Sequence, residues 1–311
     1  MNRVYISLET DPYFNVAAEY QLFMEAEEDI GLFLWKNQPC VIIGRNQNLY
    51  AECNMEYLRE NQILPVRRFS GGGAVFQDMG NVNFTFITKE EKGKPKKFID
   101  VIKKAVSSFN IKCTFNGRND LLYAGKKISG HASYTEDGNY MYHGTMMVDV
   151  DLDMLTNSLK PSYSKLSSKG INSVRSRVVN LSRINNGVTV EKFKDALINA
   201  FNDIYGKGVP IQCVSREKIQ PSLYNKIQES SWIYGESPRF EILAEKRLSS
   251  GNVTISADVV DGMIKCIKIY TDSLLVVDFS KLEKELIGTL YQEGALFNLI
   301  EDFLLNSSLK H

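Results

Sequence analysis

Arg67-Arg68-Phe69-Ser70-Gly71-Gly72-Gly73-Ala74-Val75-Phe76-Gln77-Asp78 is the stretch on which the reading of this chain turns. Two arginines stand ahead of three glycines, and the chain then runs into Ala-Val-Phe. Glycine reaches backbone conformations closed to other residues and lets a ligand approach bare N–H groups. Beside fixed positive charge, such a loop suits an anion, and a phosphate above all. A linker or a tight hairpin would also use three glycines. The flanking runs Ile63-Leu64-Pro65-Val66 and Val82-Asn83-Phe84-Thr85-Phe86-Ile87 argue against a linker, because short apolar runs of this kind form buried strands.

Working outward, Asp11-Pro12-Tyr13-Phe14-Asn15 reads as the capped start of a helix over 16–27. Strands are expected over 32–35, 40–43 and 82–88, and helices over 54–61, 96–109, 190–205 and 221–230. From Lys112 to Asp151 the pattern alternates and is punctuated by Ala124-Gly125-Lys126 and Asp137-Gly138-Asn139, which predicts two or more antiparallel hairpins. The texture changes around Gly235-Glu236-Ser237-Pro238. Beyond it, a hairpin over 252–260 and 263–270 turns at Asp261-Gly262, and helices follow over 281–286 and 294–305. Hairpin strands mixed with helices make the chain α+β rather than a doubly wound parallel sheet. Two domains are expected, 1–245 and 246–311. Neither a dinucleotide fingerprint nor a Walker P-loop is present.

The chain has 311 residues, 43% hydrophobic and 24% charged, which suits a globular protein with ample core. Its 37 basic and 37 acidic residues cancel, against the global basic excess of a nucleic-acid or membrane-surface binder. Five scattered cysteines, never spaced C-x-x-C, read as reduced thiols and not as a zinc framework. The first residues lack the apolar core of a signal peptide, and no apolar run is long enough to span a bilayer. A soluble, cytoplasmic protein is expected.

Three further features bear on chemistry. Gly117-Arg118-Asn119-Asp120 leads into Gly125-Lys126-Lys127-Ile128-Ser129-Gly130-His131. An Asn-Asp pair beside a strand can offer a carboxylate to Mg²⁺ or an amine, and an amide to a carbonyl. With a period of two, Lys127 and Ser129 share one face of a strand and Lys126 the other, so one lysine points inward and one into solvent. An ordinary surface hairpin would use the same turn residues. From Met154 to Val190 there is no acid, while Lys160, Lys165, Lys169, Arg175, Arg177 and Arg183 fall among serines. That composition suits a mobile loop closing over a nucleotide. As an RNA patch it lacks stacking aromatics, with Tyr163 alone in the basic run. His143, on an expected strand, is either a ligand contact or a structural histidine. Gln77 and Asn81 either bond polar ligand atoms or close a turn.

Together these motifs resemble the lipoate–protein ligase A family. The resemblance rests on Arg67-Arg68-x-Ser70-Gly71-Gly72-Gly73-Ala74-Val75, Gly117-Arg118-Asn119-Asp120, Lys127-x-Ser129-Gly130 and Ser173-Val174-Arg175-Ser176-Arg177-Val178-x-Asn180-Leu181, in that order. Asp11-Pro12-x-Phe14-Asn15, Trp232 and Ser237-Pro238 extend it across essentially the whole chain. It implies a biotin-ligase-like catalytic domain of mixed sheets flanked by helices, plus a small α+β C-terminal domain. The implied activity makes lipoyl-AMP from lipoate and ATP, with Mg²⁺. The lipoyl group then passes to a lysine of a 2-oxoacid dehydrogenase E2 subunit or of the glycine-cleavage H protein. No nucleic acid or membrane partner is expected.

By the same resemblance, Lys127 touches both the lipoyl carboxyl and the α-phosphate, with Asp120 as its catalytic companion and a metal ligand. Arg68, Ser70, Gly71, Gly72, Gly73, Ala74, Val75, Phe76, Asn81 and Asn119 hold the nucleotide. Gln77 and His143 join Lys127 around lipoate, and Lys165, Lys169, Arg175 and Arg177 belong to a covering loop. Gln77 stands where many relatives carry histidine, and His131 where Asn or Ser is more usual. The competing readings are an octanoyl or lipoyl amidotransferase working through a cysteine thioester without ATP, and a non-catalytic lipoate- or RNA-binding regulator.

Overall fold

A computed structural model describes residues 1–116, 119–160, 177–234, 242–260 and 263–308. Its centre is an eight-stranded mixed sheet in the order β11-β1-β2-β6-β10-β9-β8-β7. The strands are β1 (Arg3–Ser7), β2 (Gly31–Trp35), β6 (Asn81–Lys89), β7 (Thr114–Phe115), β8 (Asp120–Tyr123), β9 (Lys126–Glu136), β10 (Asn139–Met147) and β11 (Ile211–Val214). β1 runs parallel to both β11 and β2, and every other pairing in this sheet is antiparallel. A smaller sheet, β4-β3-β5, joins β3 (Cys40–Ile43) to a parallel β4 (Leu64–Arg67) and an antiparallel β5 (Val75–Gln77). The glycine loop connects β4 to β5.

Alternation along each strand sorts residues onto the two faces of the large sheet. Leu32, Leu34, Phe84 and Phe86 pack with Phe98, Val101 and Ile102 of the helix Pro95–Ser107 and with Phe193, Leu197 and Phe201 of the helix Val190–Tyr205. Phe33 and Trp35 turn the other way, onto Phe14, Ala17 and Phe23 of the helix Pro12–Met24. That first helix starts at the expected cap and ends at Met24, ahead of the expected Glu27. Asp11 caps it by accepting the N–H groups of Tyr13 (3.0 Å) and Phe14 (3.4 Å), and Pro12 is pre-set for the first turn.

The C-terminal part is an antiparallel sheet of β12 (Ile242–Arg247), β13 (Asn252–Val260) and β14 (Met263–Thr271), covered by the helices Ser280–Leu286 and Glu293–Ser308. Val253, Ile255, Ile267, Phe279, Phe297 and Ile300 make its own core. Residue 245 falls inside β12, which pairs with β13, so this unit includes Ile242 onward. It rests against the glycine loop: the Gly72 N–H donates to the Ser273 carbonyl at 2.6 Å, and the Thr271 N–H to the Asn46 carbonyl at 3.0 Å.

Candidate active site

β6 reads Asn-Val-Asn-Phe-Thr-Phe-Ile-Thr, and all eight of these residues are buried. Its apolar set enters the helix-packed core, so its polar set must be satisfied on the opposite face. Asn83 donates to Gln77 Oε1 at 3.0 Å, and Asn37 donates to the same oxygen at 2.9 Å. The Thr85 hydroxyl donates to Glu19 Oε1 at 2.6 Å. His143 lies directly opposite Thr85 in the β6–β10 register, and its Nδ1 reaches the same Glu19 oxygen at 2.7 Å. A carboxylate only accepts, so Nδ1 carries a proton, and Nε2 lies 2.8 Å from the Ser70 hydroxyl. Helix, two strands and glycine loop are thereby joined through one buried polar chain.

The two arginines ahead of the glycines divide their work. Arg67 is fully buried and donates to the carbonyls of Gly44, Arg45, Gln47, Trp232 and Ile233, between 2.7 and 3.2 Å. It ties three segments together. Arg68 lies along the cavity, with Nε on Ser70 Oγ (3.1 Å) and Nη2 on the Gly71 and Gly73 carbonyls (2.7 and 2.9 Å). Burial pulls its guanidinium down to about 10, with Glu19 opposing, and it stays cationic at neutral pH. Of the three glycines only Gly72 has a positive φ, 94°, the conformation that a side chain would strain.

Lys127 also lines the cavity, and its Nζ is 2.7 Å from Asp120 Oδ1. A register shift between Leu121 and Leu122 sets Asp120 opposite Gly130 and Leu122 opposite Lys127. The ammonium occupies the space over Gly130: a Cβ built there would lie 2.6 Å from Nζ. Lys126 is exposed, so the two neighbouring lysines part as period two requires. Asn116 Oδ1 accepts the N–H groups of Asn119 and Asp120, both at 3.1 Å, and fixes the turn that carries them. The second half of the basic window touches β9, with the Val179 N–H on the Lys127 carbonyl at 3.0 Å.

His131 belongs to a different network. One ring nitrogen meets Ser129 Oγ and the other Tyr142 OH, both at 2.7 Å. Burial, reinforced by the charge of Lys127 and then by His143, draws its pKa down to about 3 and leaves the ring neutral at neutral pH.

The cavity between these walls has a volume of about 710 Å³. Of the residues expected at a nucleotide, Arg68, Gly72, Gly73, Ala74, Val75, Asn119 and Lys127 line it, and so does Asp120. Gln77 and His143, expected at lipoate, line its floor. Four others support the wall from behind. Ser70 is held by His143 and Arg68, and the Gly71 carbonyl by Arg68. The Phe76 ring enters the core with Val41 and Leu49. Asn81 is fully buried and closes a turn, accepting the Asp78 N–H at 3.0 Å and donating to Thr145 Oγ1 at 2.7 Å. Arg177 is exposed and lies off the lining; Lys165, Lys169 and Arg175 fall outside the described residues.

Val16, Glu19, Trp35, Ile42 and Thr145 also line the cavity and were missed in the sequence. Glu19 left one signal, an acid at the end of the run Val16-Ala17-Ala18 that the first helix buries. Among the described residues no group of three His, Cys, Asp or Glu side chains could hold a metal ion by itself. Asp120 would supply a single protein carboxylate to a divalent cation whose other oxygens came from phosphates, as Mg²⁺ commonly prefers. None of the five cysteines is among the lining residues, and burial pushes the thiols of Cys40 and Cys53 well up, away from thiolate. No helix among the described residues is long and apolar enough to cross a membrane.

Comparison with known proteins gives a consistent picture. The lipoyl protein ligase A/B catalytic domain family matches residues 11–202, and the bacterial lipoate protein ligase C-terminus family matches 237–311. The chain is 37% identical over 310 residues to the lipoate-protein ligase LplJ of Bacillus subtilis, covering 97% of this chain and 92% of that protein. It is 33% identical over 305 residues to lipoate-protein ligase A of Bdellovibrio bacteriovorus, covering 94% and 90%. Among solved structures, P. falciparum LipL1 in complex with lipoate superposes with a TM-score of 0.77 at 26% identity, covering 98% of this chain and 100% of that one. An ATP-bound lipoate-protein ligase A shares the fold with a TM-score of 0.65 at 21% identity, covering 75% and 98%.

Proposed function

The chain belongs to the lipoate–protein ligase family, and we propose that it activates lipoate with ATP and passes the lipoyl group to an acceptor lysine, both steps in this one cavity. The observation that carries the reading is that the Lys127–Asp120 pair and the Arg68-braced glycine loop line a single cavity. In the first step a lipoate carboxylate oxygen bonds to the α-phosphorus of ATP. The bond from that phosphorus to the bridging oxygen breaks, and pyrophosphate leaves. In the second step the acceptor amine bonds to the carbonyl carbon of lipoyl-AMP, AMP leaves, and the nitrogen gives up a proton.

Both steps build negative charge on phosphoryl or carbonyl oxygens, and fixed cations and N–H groups in place beforehand lower those barriers. Lys127 is suited to electrostatic work at the shared acyl-phosphate, and Asp120 holds its ammonium in place. Asp120 is also the carboxylate nearest that point for the proton released in transfer. Gly72, Gly73, Ala74 and Val75 offer a wall for the nucleotide, and Asn119 a polar side chain at its far edge. Val16, Trp35, Ile42 and Val75 give the apolar surface a dithiolane chain requires, over a floor of Glu19, Gln77 and His143. Mg²⁺ would shield the phosphates, with Asp120 as its protein ligand.

The proposed catalytic part precedes β12, and the proposed accessory part begins with β12 at Ile242, four residues ahead of the expected division at 245/246. The proposed acceptors are lipoyl domains of 2-oxoacid dehydrogenase E2 subunits or the glycine-cleavage H protein. The proposed compartment is the cytoplasm, where five free cysteines stay reduced. An amidotransferase working through a cysteine thioester would need a thiol at the cavity wall. Incubation with lipoate, ATP, Mg²⁺ and an isolated E2 lipoyl domain tests the reading: the acceptor should gain one lipoyl group by mass spectrometry, on a single lysine. An unmodified acceptor, modified by a control ligase under the same conditions, would contradict it.

A further inference from the structure

One stretch of the cavity wall comes from the C-terminal unit: Arg247 at the end of β12, Asn252 at the start of β13, and Asp272 and Leu274 just past β14. The unit is clasped to the catalytic part here. Asn46 accepts the Val277 N–H at 3.3 Å and returns its own amide to the Val277 carbonyl, beside the Gly72–Ser273 and Asn46–Thr271 bonds already described.

Within that wall Asp272 accepts the Asn252 N–H at 2.7 Å on one oxygen and the Asn252 side-chain amide at 3.1 Å on the other. The second oxygen also lies 3.8 Å from Arg247 Nη1, a distance that orients the guanidinium without consuming its hydrogen bonds. The Arg247 side chain is 48% exposed.

The cations along the cavity differ in what they have left to offer. Arg68 spends Nε, Nη1 and Nη2 on Ser70, Ile42, Gly71 and Gly73, four bonds in all. Lys127 is paired with Asp120 at 2.7 Å and belongs at the acyl-phosphate. Among the described residues, Arg247 is the lining cation with the most donors to spare. A nucleoside triphosphate carries several negative charges, and its terminal two phosphates take up more as they leave.

Resting on the ligase reading, we propose that Arg247 binds the terminal phosphates of ATP and stabilises the departing pyrophosphate, with Asp272 as its positioning residue. As the α-phosphorus bonds to the carboxylate oxygen, the electron pair of the breaking bond goes to pyrophosphate. A guanidinium fork meets that charge through paired N–H groups. In the transfer step no pyrophosphate is present, so Arg247 serves activation alone.

The test separates the half-reactions in Arg247→Ala and Arg247→Lys. Lipoate-dependent ATP–pyrophosphate exchange should fall on the order of 10- to 100-fold in Arg247→Ala, with KM for ATP and pyrophosphate raised, and Arg247→Lys should recover part of it. Transfer from chemically prepared lipoyl-AMP to a lipoyl domain should stay within about twofold of wild type. Exchange unchanged in Arg247→Ala, or exchange and transfer falling together in both variants, would overturn the assignment. A wild-type enzyme with no exchange at all removes the ligase reading and this assignment with it, whereas normal wild-type exchange with a silent Arg247 removes this assignment alone.

Discussion

Glu19 and His143, 124 residues apart in sequence, meet at 2.7 Å beneath the cavity, and the same carboxylate oxygen takes the hydroxyl of Thr85 at 2.6 Å. Glu19 is 3% and His143 7% exposed, so both bonds are largely shielded from bulk solvent. The carboxylate fixes the imidazole, the imidazole fixes Ser70, and Ser70 fixes one edge of the Arg68 guanidinium.

Removing the carboxylate should therefore cost stability and substrate binding together. Glu19→Ala leaves two buried donors without an acceptor and should destabilise the fold by about 1–3 kcal/mol in urea unfolding. Glu19→Gln, which keeps an accepting oxygen, should lose less, and both should raise KM for lipoate. An Ala variant as stable as wild type would mean that the chain from Glu19 to Arg68 carries little energy.

Lys127 and Gly130 should fail in the same way for different reasons. Lys127→Ala removes a partly exposed side chain, leaves the fold intact and should lower the rate of lipoyl-AMP formation by about 10²–10³-fold. Gly130→Ala puts a methyl group where the ammonium sits, 2.6 Å from Nζ. The lysine tip can swing away at little cost in stability, so misplacement should lower activity on the order of 10²-fold with a near-normal melting temperature. Full activity in Gly130→Ala would show that the position of Lys127 against Asp120 is not the working one.

His131 gives the fold a dependence on pH. Its pKa is drawn down from 6.5 to about 3, so between these values the unfolded chain binds a proton that the folded one does not. Stability from this group is complete above 6.5 and drains away as the pH falls toward 3. His131→Asn should flatten that loss, so its urea midpoint should change less than that of wild type between about pH 7 and about pH 5. An equal drop in both proteins would place the acid sensitivity elsewhere.

The parts of the site visible in the sequence were those written contiguously. Arg68 with the glycines, Asn119-Asp120, and Lys127 beside Gly130 each carry their own turn or strand chemistry, and each lies at the cavity. Inside the same motifs, sequence could not separate residues that face a ligand from those that hold the wall. Ser70 and Asn81 are turned inward by His143 and Thr145, partners more than sixty residues away. Phe76 points to the core because its strand alternates with Val75 and Gln77, which line the cavity. Glu19, Trp35 and Arg247 sit on a helix and two strands whose meeting is a tertiary event, and no local pattern announces it. Asp11 and Pro12 carry their own capping chemistry, so the start of the first helix is legible in the sequence.

Lipoate-dependent exchange of radiolabelled pyrophosphate into ATP tests the central claim most directly, because it reads adenylate formation without any acceptor. With purified protein and Mg²⁺, exchange should appear when lipoate is added, stay at background without it, and vanish in Lys127→Ala. Folded protein that shows no lipoate-dependent exchange, or a Lys127→Ala variant that exchanges as fast as wild type, would contradict the account.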